Sequence, residues 1–170
     1  KQTAQRVKLT AAQTMYRAIR GSLLEKVHAI AAKEEERRSG YHGFLHANMN
    51  MFGQDDYIDY PRLVISAGSL QLPFGMKASK CTPEELELKW INNSSTITAQ
   101  PSDQLLVAAI FDNEPYQPEM LETKVFCRKN DQASVLLPEG EWNTAHLYCF
   151  FSTENRERFS PCMYFTVSKP

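Results

Sequence analysis

The sequence has no apolar run approaching the roughly 18 residues that a membrane-spanning helix needs. It has no CxxC pair and no Cys–His pairing at zinc-finger spacing. It contains no GxSxG elbow, no P-loop, no GxGxxG fingerprint and no EF-hand loop. These gaps remove the usual sequence signatures of a serine hydrolase, a nucleotide-binding domain and a calcium sensor. Cysteine is sparse: Cys81, Cys127, Cys149 and Cys162 are scattered between residues 81 and 162. They read as small buried apolar residues on strands, with one or two disulfides in an oxidising compartment as the alternative. The chain opens at Lys1 with a polar KQTAQR and no initiator methionine, so a processed or truncated start is expected and the sequence assigns no compartment.

What is present is ordinary for a globular protein. At 170 residues the chain suits one domain, or one with an appended helical element. A chain of this length buries roughly 70% of its unfolded surface, so it needs no metal or disulfide to fold. The net charge of −1 hides an asymmetry. Residues 1–33 carry seven basic side chains, Lys1 among them, and one acidic side chain; the remainder carries twelve basic and nineteen acidic ones. Such a split can mark a partner surface.

The apolar pattern changes at Tyr60–Pro73 (YPRLVISAGSLQLP). Before it, Val7, Leu9, Ala12, Met15, Tyr16, Ile19, Leu23, Val27 and Ile30 lie mostly three or four apart, one apolar stripe that reads as one long helix or two in series over residues 3–38. No proline interrupts it, and Gly21 is the place for a kink or split. Ser39-Gly40 is the expected stop, and Ser39 is the N-cap of a second helix running towards Gly53. After the stretch come short runs separated by Pro, Asn, Asp and Gly. Strands are expected at residues 62–72, 76–81, 86–90, 104–112, 122–128, 134–137, 145–152 and 160–167. In Leu86-Glu87-Leu88-Lys89-Trp90 the apolar residues alternate with charged ones, whereas Gln104–Asp112 is apolar throughout, as a strand covered on both faces would be.

Four features invite functional readings. Arg6, Lys8, Arg17 and Arg20 make the first helix basic, which fits phosphate neutralisation or a protein partner surface, though no aromatics are interleaved with them. His42 and His46, four apart, share a helix face and could hold a metal with help from Asp55, Asp56 and Asp59; the Glu of HExxH is missing. Tyr116 and Trp142 lie in loops as candidate contact residues, with packing on their own sandwich as the expected alternative. Asn92 and Asn93 each head an N-x-S/T sequon, which matters only in a secretory host.

Two resemblances follow from these residues. LELKW, QLLVAAIF, SVLLPEGEWNTAHLYCFFS and RFSPCMYFTV resemble a fibronectin type III or immunoglobulin-like sandwich, with Trp90 as its core tryptophan. The AQR opening, IDYPRLVISAGSL and the C-terminal LLPEGEW…HLYCFFSTENRE resemble an uncharacterised Bacteroidetes family, a domain of unknown function, over nearly the whole chain. That resemblance implies a short Gly-rich segment before Lys1 and supplies no catalytic residues. Cys127/Cys149 and His42/His46 are not part of it.

The expected architecture is therefore α+β: two helices in residues 1–56, then an antiparallel fibronectin-III/Ig-like β-sandwich in residues 57–170. The expected function is a non-enzymatic binding, scaffolding or assembly module with a protein partner or self-association, and no cofactor. The alternatives are a nucleic-acid-associated protein using residues 1–33, and a metal-dependent hydrolase at His42/His46.

Overall fold

A computed structural model describes residues 2–169. Three helices come first: α1 (Gln2–Ile19), α2 (Leu23–Glu34) and α3 (Gly40–Asn48). Of the two readings of the first stretch, one long helix or two in series, the structure has two. Gly21 takes the left-handed conformation (φ 79°), which ends α1, and Ser22 opens α2. Nor does α2 run on to Ser39-Gly40. Glu36 sits in the left-handed region (φ 54°), the Arg37 amide donates to the Ala32 carbonyl (2.7 Å) and the Glu36 amide to that of Lys33 (3.2 Å). This is a Schellman stop with glutamate where glycine is usual. Ser39 caps α3 by accepting from the His42 amide at 3.3 Å.

Among the described residues seven antiparallel strands follow, in two sheets. β1 (Lys77–Lys80), β2 (Glu85–Lys89) and β5 (Gln132–Leu136) form one in that order. The other has the order β4-β3-β6-β7, from β3 (Gln104–Phe111), β4 (Glu119–Met120), β6 (Thr144–Ser152) and β7 (Met163–Ser168). The long strands β3 and β6 pair over their length, from Gln104 opposite Ser152 to Phe111 opposite Ala145.

The apolar run in β3 has a plain cause. Leu105, Val107, Ala109 and Phe111 face a core shared with Leu86, Leu88 and Trp90 of the smaller sheet's side. Ala108 and Ile110 face a second core with Met15, Ile19, Leu24, Val27 and Phe44 of the helices. β6 divides likewise: Leu147, Cys149 and Phe151 point one way, Tyr148 and Phe150 the other. The four-stranded sheet is the middle layer, and alternation disappears because both its faces are dry.

Two expected strands are not strands. Residues 122–128 follow the two-residue β4 irregularly: the Leu121 amide donates to Val107, and the next backbone bond to β3 is Leu105 to Phe126, so the residues between bulge outward and Val125 is 71% exposed. Tyr60–Pro73 opens with a 3-10 turn at Tyr60–Arg62 and then runs extended without a strand partner. Its backbone is satisfied largely by side chains. Asn48 serves Val64, and His28 Nε2 donates to the Ile65 carbonyl at 2.9 Å. The Tyr148 hydroxyl donates to the Tyr60 carbonyl at 2.8 Å. The stretch is a seam between helices and sheet rather than a first strand.

Candidate functional site

Arg128, which sequence patterning places at the end of the expected 122–128 strand, is the residue on which the candidate site is built. It is fully buried in a 3-10 turn (Arg128–Asn130), with Asp103 also buried. Its Nε and Nη2 both reach Asp103 Oδ2 at 3.0 Å. Nη1 donates to Asn93 Oδ1 (3.2 Å) and Nη2 to the Gln71 carbonyl (2.9 Å). The guanidinium lies 4.0 Å from the centroid of the Phe151 ring. Burial pulls the Arg128 pKa down and Asp103 pulls it back up. Every side chain in the group finds a partner, which is what lets charge stay in a core.

The three segments that Arg128 ties together, at Gln71, Asn93 and Asp103, are loop segments at one end of the sheets. Further bonds lock them: Asn93 Nδ2 to Gln71 Oε1 (2.6 Å), the Gln71 amide to Thr98 O (2.8 Å) and the Ile91 amide to Phe74 O (2.9 Å). On this fixed frame the loops expose large apolar side chains. Ile97 is 78% exposed, Phe74 58%, Ile91 56% and Leu72 38%. Asn92, Ser95 and Thr96, between Ile91 and Ile97 in the chain, are exposed too. Exposed apolar side chains on loops held by a bonded frame make this loop end a candidate contact surface.

Sequence reasoning missed these residues, although a signal existed. Ile91 breaks the alternation that ends at Trp90, Ile97 is the one large apolar residue in Ser94–Gln100, and Phe74 sits between Pro73 and Gly75 where a turn would be polar. The residues it named lie elsewhere. Trp142 is buried, donates from Nε1 to the Pro138 carbonyl (2.9 Å) and packs on Phe111, so it is a core residue and not an exposed contact. Tyr116 is half-buried over Phe52 and donates to Asp56 at 3.1 Å. Arg6, Tyr116, Asp55 and Asp56 line one groove of about 480 Å³ along α1. Asp55 and Asp56 form the tip of a tight hairpin turn, both left-handed, closed by the Phe52–Ile58 bridge. Arg6, Arg17 and Arg20 are exposed and Lys8 half-buried, and among the described residues none of the four joins an ion pair. Lys1, counted with that basic segment, lies outside the described residues.

His42 and His46 are exposed on α3, with His42 Nδ1 against Ser39 Oγ at 2.7 Å. Among the described residues no three His, Cys, Asp or Glu side chains converge, so these histidines do not meet Asp55, Asp56 or Asp59 in a ligand set. His146 stacks on Tyr60 at 3.6 Å and contacts the Tyr164 hydroxyl at 2.7 Å; burial lowers its pKa. The four thiols are free. Of these only Cys149 is a buried strand residue, while Cys81 is exposed after β1. Among the described residues no helix is long and apolar enough to cross a membrane.

The same chain was compared with known proteins. Residues 2–166 match the model of a family of unknown function, DUF6266, and the chain belongs to that family. The comparison with curated proteins finds no match. Among solved structures, the chain is similar to the fibronectin type III domain of human fibronectin type III domain containing protein 3, with TM-score 0.42 and 11% identity, over 61% of this chain and 87% of that one. It is similar to an fn3 domain of human contactin 1, with TM-score 0.38 and 6% identity, over 61% and 81%. It is also similar to a β-1,2-glucanase from Parabacteroides distasonis, with TM-score 0.41 and 15% identity, over 61% of this chain and 13% of the glucanase.

Proposed function

We propose that this member of a family of unknown function is a non-enzymatic binding module that docks a protein partner on the loop end bearing Leu72, Phe74, Ile91 and Ile97. Its two sheets are read as a sandwich of the fibronectin type III and immunoglobulin kind, on seven antiparallel strands split three and four around one core. One observation carries the functional reading: the buried Arg128 guanidinium staples the loops that display those four apolar residues. Side chains held on a fixed frame lose little entropy when they bind. A buried charge network is also a costly way to hold a loop that has no task.

The test is affinity capture from the source proteome, read by quantitative mass spectrometry, with the chain and its Phe74→Ser/Ile91→Ser variant as baits. The expected result is a discrete protein held by the native bait and lost from a variant of unchanged melting temperature. Identical captured sets from both baits would overturn the reading. The exposed Arg6, Arg17 and Arg20, which join no ion pair among the described residues, favour a second reading, an anionic partner such as nucleic acid. Retention on DNA or RNA that falls steeply with salt and disappears in Arg17→Glu/Arg20→Glu would support it; no retention at low salt would sink it.

A further inference from the structure

Among the described strands the two sheets have four outer edges, and two of them are blunted. β1 (Lys77–Lys80) carries a lysine at each end. β4 is two residues long. β5 (Gln132–Leu136) is uncharged, but it is shorter than β7 and its Gln132, Ala133 and Ser134 share a groove with Phe126 of the outward bulge. Lysine and shortness are among the devices by which sheets avoid joining edge to edge. β7 has none of them. It reads Met-Tyr-Phe-Thr-Val-Ser, six residues of high β-propensity with no charge, proline or glycine. It pairs with β6 alone.

The open part of that edge has defined ends. Upstream, the Phe159 carbonyl accepts from the Leu70 amide at 3.1 Å and the Ser160 carbonyl from Ser66 Oγ at 2.9 Å, so the seam covers the chain before β7. Downstream, Lys80 Nζ donates to the Ser168 carbonyl at 2.8 Å. Between them, residues 163–167 make no backbone hydrogen bond outside the β6 pairing among the described residues.

We infer that two copies of the chain join β7 to β7 in antiparallel register about a two-fold axis, making one eight-stranded sheet. Antiparallel pairing of a strand with itself matches donors to acceptors on both sides, as a two-fold interface requires. No like charges meet across the axis, whereas a β1–β1 pairing would oppose lysines. Met163 and Phe165 lean on the inter-sheet core and Tyr164 on the helical core, and all three are only partly buried. Pairing would complete their burial on both faces of the sheet. This surface is separate from the Phe74/Ile91 loop end, so it stands or falls independently of the proposed partner site.

The test is sedimentation equilibrium of the chain with two variants at the exposed Thr166. Twice the 19.4 kDa chain mass is expected at micromolar concentration. Thr166→Lys puts lysines near the axis and is expected to raise the dimer dissociation constant about tenfold or more. Thr166→Val should keep the dimer, and far-UV circular dichroism should show both variants folded. A native chain that stays monomeric at about 100 µM, or a folded Thr166→Lys dimer as tight as the native one, overturns the inference.

Discussion

Asn48 and Val64 are bonded as two residues of neighbouring strands would be. Asn48 Oδ1 accepts from the Val64 amide at 2.7 Å and Asn48 Nδ2 donates to the Val64 carbonyl at 3.1 Å. The Asn48 side chain, fully buried at the end of α3, acts as a peptide group for a seam segment that has no strand beside it. Asn48→Leu strips both partners from the Val64 backbone. The expected cost is about 2–4 kcal/mol in urea unfolding, because each buried group left unpaired costs about 1–3 kcal/mol. Asn48→Asp, which keeps the acceptor and loses the donor, should also be destabilising. A Leu variant as stable as the native chain would show that water or backbone movement replaces the pair.

The buried ion pair makes a second prediction. Asp103→Ala leaves the Arg128 guanidinium uncompensated in the core and should cost about 3–5 kcal/mol. The double variant Arg128→Met/Asp103→Leu should cost less than the sum of its singles, a non-additivity that a double-mutant cycle measures. Hydrogen exchange should also rise selectively at residues 71–75 and 91–98 in Asp103→Ala, because those loops hang on the guanidinium. Exchange unchanged there would remove the staple from the binding argument.

Glu36 is the simplest place to add stability. It occupies the left-handed position of the Schellman stop after α2, is exposed, and forms no ion pair among the described residues. Glycine takes that conformation without the Cβ penalty of about 1 kcal/mol. Glu36→Gly is therefore expected to raise stability by up to about 1 kcal/mol, which for a domain of this size is a melting rise of about 2–4 °C. A fall would mean that the α2 stop is held by something other than this turn.

His28 predicts acid sensitivity. It is buried between Phe44 and the seam, its Nε2 donating to the Ile65 carbonyl, and burial lowers its pKa from 6.5 to about 4. The folded imidazole stays neutral where the unfolded one takes up a proton. Stability from this group is complete above about pH 6.5 and is lost as pH falls towards 4. The full shift is worth about 3 kcal/mol, of which about 2 kcal/mol is gone by pH 5. His28→Gln keeps a donor for Ile65 and removes the titration. Its urea midpoint should change less between pH 7.5 and 5 than that of the native chain, and equal changes in the two proteins would refute the assignment.

How far the sequence can be read depends on where polar groups find their partners. Helices α1 and α2 and strands β2, β3 and β6 were legible because their burial is periodic or continuous. The 62–72 segment was not. Leu63, Ile65 and Leu70 are as apolar as a strand, but the Val64 backbone bonds to Asn48, the Ile65 carbonyl to His28 and the Ser66 hydroxyl to the Ser160 carbonyl, partners 16 to 94 positions away, which no local pattern encodes. Arg128 was lost for the same reason. A basic residue reads as surface until three distant segments are known to converge on it. The proposed contact surface was hidden for the opposite reason: aromatic size pointed to Trp142, while Phe74, Ile91 and Ile97 are the exposed residues there, each an interruption of a local pattern.

The seam also bears on whether the chain is one unit. Ala108, Ile110, Tyr148 and Phe150 of the middle sheet share a core with Met15, Leu24, Val27 and Phe44 of the helices. Glu34 of α2 accepts from Ser69, and Lys26 of α2 pairs with Glu157 of the β6–β7 loop at 3.3 Å. Gly68 (φ 155°) lies so close to the Phe159 carbonyl that a Cβ there would stand 2.1 Å from its oxygen. The proposal is one compound domain. Helix loss at 222 nm, and exposure of Trp90 and Trp142 by fluorescence, should then follow a single transition with one midpoint. Gly68→Ala forces backbone apart at the junction and should lower both signals' midpoints together. If the helical signal moves first in that variant while the tryptophans stay buried, the two halves are separate cooperative units and the seam is only a linker.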